Sequence, residues 1–243
     1  NEQHLEWVKP KNLSEIIKQK VGFLSKKTTI YIAKQKPKTL KKIKQILKKN
    51  PSKKVYYGSG WILKKSGNKR IYKDKDGKII LKSKKIISDA LWDNVALAIK
   101  VARDLKISKK NILNAIPNLQ FEGRLQYISG KLTKSLNKGE KLLIDGCSSE
   151  ASAKNLANYL KTIKIPKYGV WSMIKNKNPE LFIKQFKGIF EKVITVPIDR
   201  EESSLPPKLL YKLAKQNGIN SEPAINFSQA IKKISSKQKK LIC

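Results

Sequence analysis

The sequence holds a single histidine, two cysteines and four arginines, and each scarcity excludes a chemistry. One histidine, His4, cannot build a multi-histidine metal centre, and it leaves no Ser/His/Asp set for the C-terminal part. Cys147 and Cys243 have no paired spacing, which argues against a disulfide framework or zinc site and for a reducing, cytoplasmic setting. No apolar run approaches the ~20 residues of a membrane span. The polar, mixed-charge N-terminus does not read as a signal peptide. It starts with Asn rather than Met, which suggests a processed or partial chain. Nothing matches GxxxxGK[ST], so the usual loop for cradling ATP phosphates is missing. Acidic residues are scarce as well: 18 Asp and Glu stand against 54 Lys and Arg, for a net charge of +36.

That charge invites a nucleic-acid reading, since clustered cations release counterions from a phosphate backbone. Only Arg70, Arg103, Arg124 and Arg200 carry the guanidinium fork that binds bidentately and stacks; the other basic residues are Lys. Lysine is spread over what read as exposed helix faces and loops. A compositional bias explains this better than a dedicated surface, and a nucleic-acid partner stays the disfavoured alternative. At 243 residues with 40% hydrophobic residues, the chain is long and apolar enough for one large or two small folded domains.

Periodicity predicts a helix over 11–24, a strand at 28–33, a helix over 39–49 and a strand at 53–58. A hairpin follows over 61–82 with Asp76-Gly77 at its turn. Val95, Ala98, Ile99, Ala102 and Leu105 mark an amphipathic helix over 93–105, and a second helix runs from Ser108 to before Pro117. A domain boundary is expected near 118–123. Beyond it, strands "KLLID", "YGVWSM", "KVITVP" and a last one begun by "KKLIC" alternate with helices over 149–163, 180–191, 206–216 and from Phe227. Such alternation predicts crossover connections and a mostly parallel sheet, hence an α/β fold. "LLIDGCSSEASAKNL" (142–156) reads as strand, tight turn and helix N-terminus, with Ser148 or Ser149 as cap, an arrangement that can hold an anion. Cys147 reads as a small buried residue there, since no base or cation cluster is implied beside it.

Five short segments, in order, resemble the folylpolyglutamate synthase/dihydrofolate synthase branch of the Mur ligases. They are "QHLEWVKPKNLSEIIKQKVGFLSK" (3–26), "DNVALAIKVA", "FEGRLQYI", "LLIDGCSSEASAKNLANYL" and "GVWSMIKNKNPELF". The resemblance implies that residues 1–120 are the later part of a P-loop-type ATPase domain. Residues 121–243 would be a Rossmann-like Mur ligase C-terminal domain, truncated at its end. The implied reaction is ATP- and Mg²⁺-dependent: a folate or dihydropteroate carboxylate is phosphorylated, and the amine of L-glutamate attacks the acyl phosphate. By matched position, His4 falls on a Mg²⁺ ligand and Lys20 on a lysine that becomes carbamylated and supports a second metal. Asn94 falls on an adenine contact, Arg124 on a nucleotide-phosphate contact, Asp145 on the ribose-binding Asp and Lys177 on the second Lys of K-D-K-D. Each residue also has a plainer reading: a terminal residue for His4, solvated lysines for Lys20 and Lys177, a helix cap for Asn94 and an ion pair for Arg124.

Departures from the family pattern are as informative as the matches. The family's D-H is Gln3-His4, a glutamine expected three residues before Asn94 is Leu91, and W-P-G-R has become F-E-G-R with Glu122 in place of Pro. A-H-N-P has become Cys147-Ser148-Ser149-Glu150, and both Asp of K-D-K-D are Asn, at Asn176 and Asn178. A carboxamide cannot anchor a cation as a carboxylate does. The P-loop half is expected ahead of Asn1, or on a separate chain, and the family's G-S-L-Y-L strand end is expected after Cys243. The reading is therefore a decayed or split ligase with little activity alone. The alternative is a basic nucleic-acid-binding module on a ligase-derived scaffold.

Overall fold

A computed structural model describes residues 8–22, 25–134 and 136–243. The chain divides into two compact units, one ending at Gln120 and the other running from Phe121 to Cys243.

In the first unit, α1 (Leu13–Val21) starts where the Asn12 side chain accepts a hydrogen bond from Glu15 N at 2.9 Å, and it buries Ile16, Ile17 and Val21. Strand β1 (Thr29–Ile32) pairs in parallel with β2 (Lys53–Tyr56) through the crossover helix α2 (Pro37–Leu47). Ile32 and Leu47 close with Val21 into one core, onto which Ile43 and Ile46 pack. The segment expected as a hairpin is one strand richer: β3 (Trp61–Ser66), β4 (Lys69–Asp74) and β5 (Gly77–Leu81) form an antiparallel meander. Its additional turn lies at Gly67-Asn68, where Gly67 takes a φ of +55° that only glycine adopts without strain. Helix α3 (Asp89–Asp104) starts four residues earlier than expected, because Ser88 Oγ caps it by accepting from Leu91 N at 3.2 Å. Helix α4 (Lys109–Ala115) is capped in the same way by Ser108.

Two polar clusters, one buried and one half-buried, tie this unit together. The Asp74 side chain, 0% exposed, lies 3.2 Å from Arg103 Nη1. It also accepts from Tyr72 OH at 2.9 Å and Asp76 N at 3.0 Å. In the second cluster, Asp104 accepts from Lys100 Nζ at 2.6 Å and Tyr31 OH at 2.9 Å, joining α3 to β1.

The second unit is built on a six-stranded sheet. Its strands are β6 (Gln126–Ile128), β7 (Glu140–Ile144), β8 (Lys167–Trp171), β9 (Lys192–Thr195), β10 (Ser221–Pro223) and β11 (Lys240–Ile242). The spatial order is β10-β9-β8-β11-β7-β6, parallel throughout except for β6 at the edge. The last strand thus sits inside the sheet: Ile242 pairs with Leu142 on one side and Tyr168 on the other. Its Lys240 is buried, donating to Ile234 O at 2.7 Å and Ser236 Oγ at 2.5 Å, with Glu140 at 3.8 Å.

Helices α5 (Glu150–Lys161), α7 (Pro207–Gln216) and α8 (Phe227–Ile234) match the expected ones within a few residues. The helix expected over 180–191 does not run through. It is α6 (Pro179–Ile183), then a 3-10 turn over Lys184–Phe186, and the chain reverses at Gly188 with φ +71°. Phe182, Phe186 and Phe190 recur every four residues, as on a helix face. They form a run of rings with centroids 5.3 Å apart instead.

Candidate functional site

The C-terminal ends of parallel strands are where open α/β sheets bind ligands, and the turn after β7 lies at such an end. Asp145 fixes its shape. One carboxylate oxygen accepts from Leu125 N at 2.8 Å and the other from Cys147 N at 2.9 Å. The carboxylate thereby clamps the turn to the Gly123–Leu125 loop, and Gly146 N adds a bond to Gly123 O at 2.7 Å. Gly123 and Leu125 both have positive φ, +61° and +47°. For Leu125 that backbone is strained, and the Asp145 bond to its own N–H holds it there.

Across this clamp lies Arg124, exposed, with Nη1 3.0 Å from Gly123 O. A Cβ placed on Gly146 would come within 2.4 Å of Arg124 Nη1 and 3.4 Å of Gly123 O. The glycine therefore leaves room for the guanidinium. Gly146→Ala is expected to push the guanidinium aside while costing less than about 1 kcal/mol in urea denaturation, because an exposed Arg can swing away.

The helix that follows keeps its cap. Ser149, of the two serines considered, is the N-cap of α5, and Ser149 and Ser152 satisfy each other's backbone N–H groups. At the second altered motif, Asn178 caps α6 by accepting from Leu181 N at 3.1 Å. Ser149 and Asn178, which stand where the resembled pattern has Asn and Asp, thus each serve as a helix cap. Cys147 is half-buried, and burial, then the Asp145 carboxylate, pushes its thiol far up, which disfavours the thiolate.

Arg124 and Asp145 are the two expected site residues that the structure brings together. Lys177 is in the same unit, half-buried in the loop between β8 and α6, where Lys175 N bonds Ser203 O. Lys20 and Asn94 belong to the first unit. Lys20 is exposed at the edge of a cavity of about 360 Å³ lined mainly by α1, β1 and α2. Asn94 is exposed in the second turn of α3, and the helix cap considered for it is Ser88 instead. His4 lies outside the described residues. Among the described residues, no group of three His, Cys, Asp or Glu is placed to hold a metal ion, and no helix is long and apolar enough to cross a membrane.

No protein-family model matches the sequence, and no curated protein matches it. Solved structures do match. Over 98% of this chain and 55% of theirs, E. coli FolC in complex with DHPP and ADP superposes with a TM-score of 0.80 at 15% identity. The chain has the fold of a folylpolyglutamate synthase. Folylpolyglutamate synthase of Thermotoga maritima gives 0.73 at 19% identity over 94% of this chain and 54% of that one. The Mycobacterium tuberculosis enzyme complexed with ADP and AMPPCP gives 0.76 at 16% identity, again with 55% of its length covered. The chain therefore spans about half the length of the structures it matches. Sequence reasoning located the Asp145 turn and Arg124 by motif order. It missed Gly146 as the residue that admits the guanidinium, although the Asp-Gly pair at a strand end was the signal.

Proposed function

We propose that this chain is part of a folylpolyglutamate synthase-like ligase, which joins glutamate to a folate or dihydropteroate carboxylate through an acyl phosphate at the expense of ATP. The superposition on E. coli FolC over nearly the whole chain, at a TM-score of 0.80, carries this reading. Residues up to 120 correspond in it to the later part of the ATPase domain and 121–243 to the glutamate ligase domain. The phosphate cradle comes from residues outside this sequence, on a preceding segment or a separate chain, so the chain alone has little activity.

The residues present fit a nucleotide in part. Arg124 offers an exposed guanidinium, suited to a phosphate. The Asp145 oxygens each accept one backbone N–H and keep lone pairs for ribose hydroxyls. Lys177 and Asn94 would serve the phosphates and adenine by position. ATP supplies the phosphoryl group that activates the carboxylate; Arg124 and Asp145 orient the nucleotide for it. Among the described residues no group of three His, Cys, Asp or Glu is placed to hold a metal ion, and Mg²⁺ ligation by His4 and support of a second metal by a carbamylated Lys20 are assignments by resemblance.

Titration of the full chain with ADP tests the nucleotide part. Arg124→Ala is expected to weaken ADP binding about tenfold, the loss of one charge-assisted contact. Equal affinity of the two proteins would remove Arg124 from the site.

One observation favours the second reading, a nucleic-acid-binding module. Residues 34–54 hold ten lysines and no acidic residue. RNA affinity that falls no more steeply with salt than that of polylysine would count against it.

A further inference from the structure

The backbone N–H groups of residues 123–125, in the loop that carries Arg124, each have a different kind of acceptor. Arg124 N donates to Phe121 O at 3.2 Å, closing a turn, and Leu125 N donates to the Asp145 carboxylate. Gly123 N donates to the side chain of Gln126, with Oε1 at 2.8 Å. Gln126 is half-buried and opens the edge strand β6, where it pairs with Ile144 of β7. Its carboxamide therefore reaches back to the loop from a strand that the sheet holds in place.

Gly123 passes this hold on to the guanidinium. Its C=O accepts from Gly146 N at 2.7 Å and from Arg124 Nη1 at 3.0 Å. One residue thus takes the Gln126 bond on its N–H and steadies Arg124 with its carbonyl. Its φ is +61°, and nothing stands within 4 Å of where a Cβ would be. A glycine reaches other backbone conformations at little cost. With open space on that side, hydrogen bonds rather than packing fix the angle. The acceptor is also uncharged, so it holds the loop without adding a carboxylate that would pair with the guanidinium.

We propose that Gln126 is a positioning residue, which through Gly123 holds the Arg124 guanidinium in the orientation that receives a nucleotide phosphate. The inference rests on the reading of Arg124 as a nucleotide-phosphate contact. Hydrogen exchange at the Gly123 amide and titration with ADP, both on the full chain, test it. The Gly123 amide is expected to be protected in the unaltered chain, although it lies in no helix or strand. Gln126→Met, of similar shape but without the acceptor, is expected to lower that protection at least about fivefold. Gln126→Glu, which keeps an acceptor at the same reach, is expected to restore it. ADP affinity is expected to fall about three- to fivefold in Gln126→Met, with no further loss when Arg124→Ala is already present. That non-additivity separates an effect through Arg124 from a general loosening of the unit, which would weaken both backgrounds alike. An unprotected Gly123 amide in the unaltered chain, unchanged ADP affinity in Gln126→Met, or the same fold loss in both backgrounds would overturn the proposal alone. Absence of ADP binding by the unaltered chain would overturn it together with the nucleotide reading. Should Gln126→Met fail to fold, Gln126→Ala, which also removes the acceptor, takes its place.

Discussion

Replacing Glu140 by alanine is expected to destabilise the second unit by about 3–5 kcal/mol. Lys240 explains the size. It sits on the central strand β11 with a side chain 2% exposed, and Glu140, 0% exposed, is the acidic group beside it at 3.8 Å. Without that carboxylate an ammonium group remains buried with two neutral acceptors, Ile234 O and Ser236 Oγ. The carboxylate also accepts from Asn137 N, Ser235 Oγ and Ser236 N at 2.8–2.9 Å, fastening β7 to the turn before β11. The double variant Glu140→Leu/Lys240→Met removes both charges and should recover much of the loss.

The pH dependence has a definite sign. Burial opposes ionisation of Glu140, but the three hydrogen bonds and the Lys240 charge outweigh it and hold the carboxyl below its ordinary value. A depressed folded value means stability present above about pH 4.5 and lost as pH falls through the lower folded value. Glu140→Ala should flatten that acid limb. Hydrogen exchange of β7 and β11 amides, followed against pH, measures both effects in this unit alone.

Asp74→Ala is the corresponding experiment in the first unit, with an expected cost of about 3–5 kcal/mol. The change leaves Arg103 unpaired at one end and deprives Tyr72 OH and Asp76 N of their acceptor. Tyr72 is fully buried, and burial together with the Asp74 bond holds its phenol far above the ordinary value. Asp74→Asn keeps an acceptor for the hydroxyl but not the charge facing Arg103, so it should cost less than alanine. Amide protection of β4 and β5 is the readout, and equal protection in Asp74→Ala and the parent would show that the Asp74 contacts to Arg103, Tyr72 and Asp76 do not stabilise the unit.

The legible parts of this fold are those in which apolar residues keep time. Leu156 and Leu160 mark α5, and Val193 and Ile194 mark β9, because each buries a regular face. Where strands are three residues long, as in β6 and β10, no alternation can develop. Where lysines occupy the solvent face, as in β3 and β4, the extra turn at Gly67-Asn68 is masked. The Phe182–Phe186–Phe190 spacing imitated a helix because a broken helix can present the same rings to a core. The site was legible only through motif order. Asp145 and Arg124 stand at positions matched by the resemblance, whereas the clamp from Asp145 to Leu125 N joins residues twenty apart in sequence and leaves no local trace. Lys177 among so many lysines carried almost no signal of its own.

The chain has the fold of the folylpolyglutamate synthase structures it superposes on, and the proposal to be tested is that carboxylate activation needs a phosphate cradle outside residues 1–243. Glutamate-dependent formation of ADP from ATP, with tetrahydrofolate or dihydropteroate as acceptor, tests it most directly on the purified full chain. The account predicts no turnover above buffer for the chain alone and measurable turnover when a polypeptide carrying the P-loop half of E. coli FolC is added. Turnover by the chain alone, dependent on both glutamate and acceptor, would contradict it.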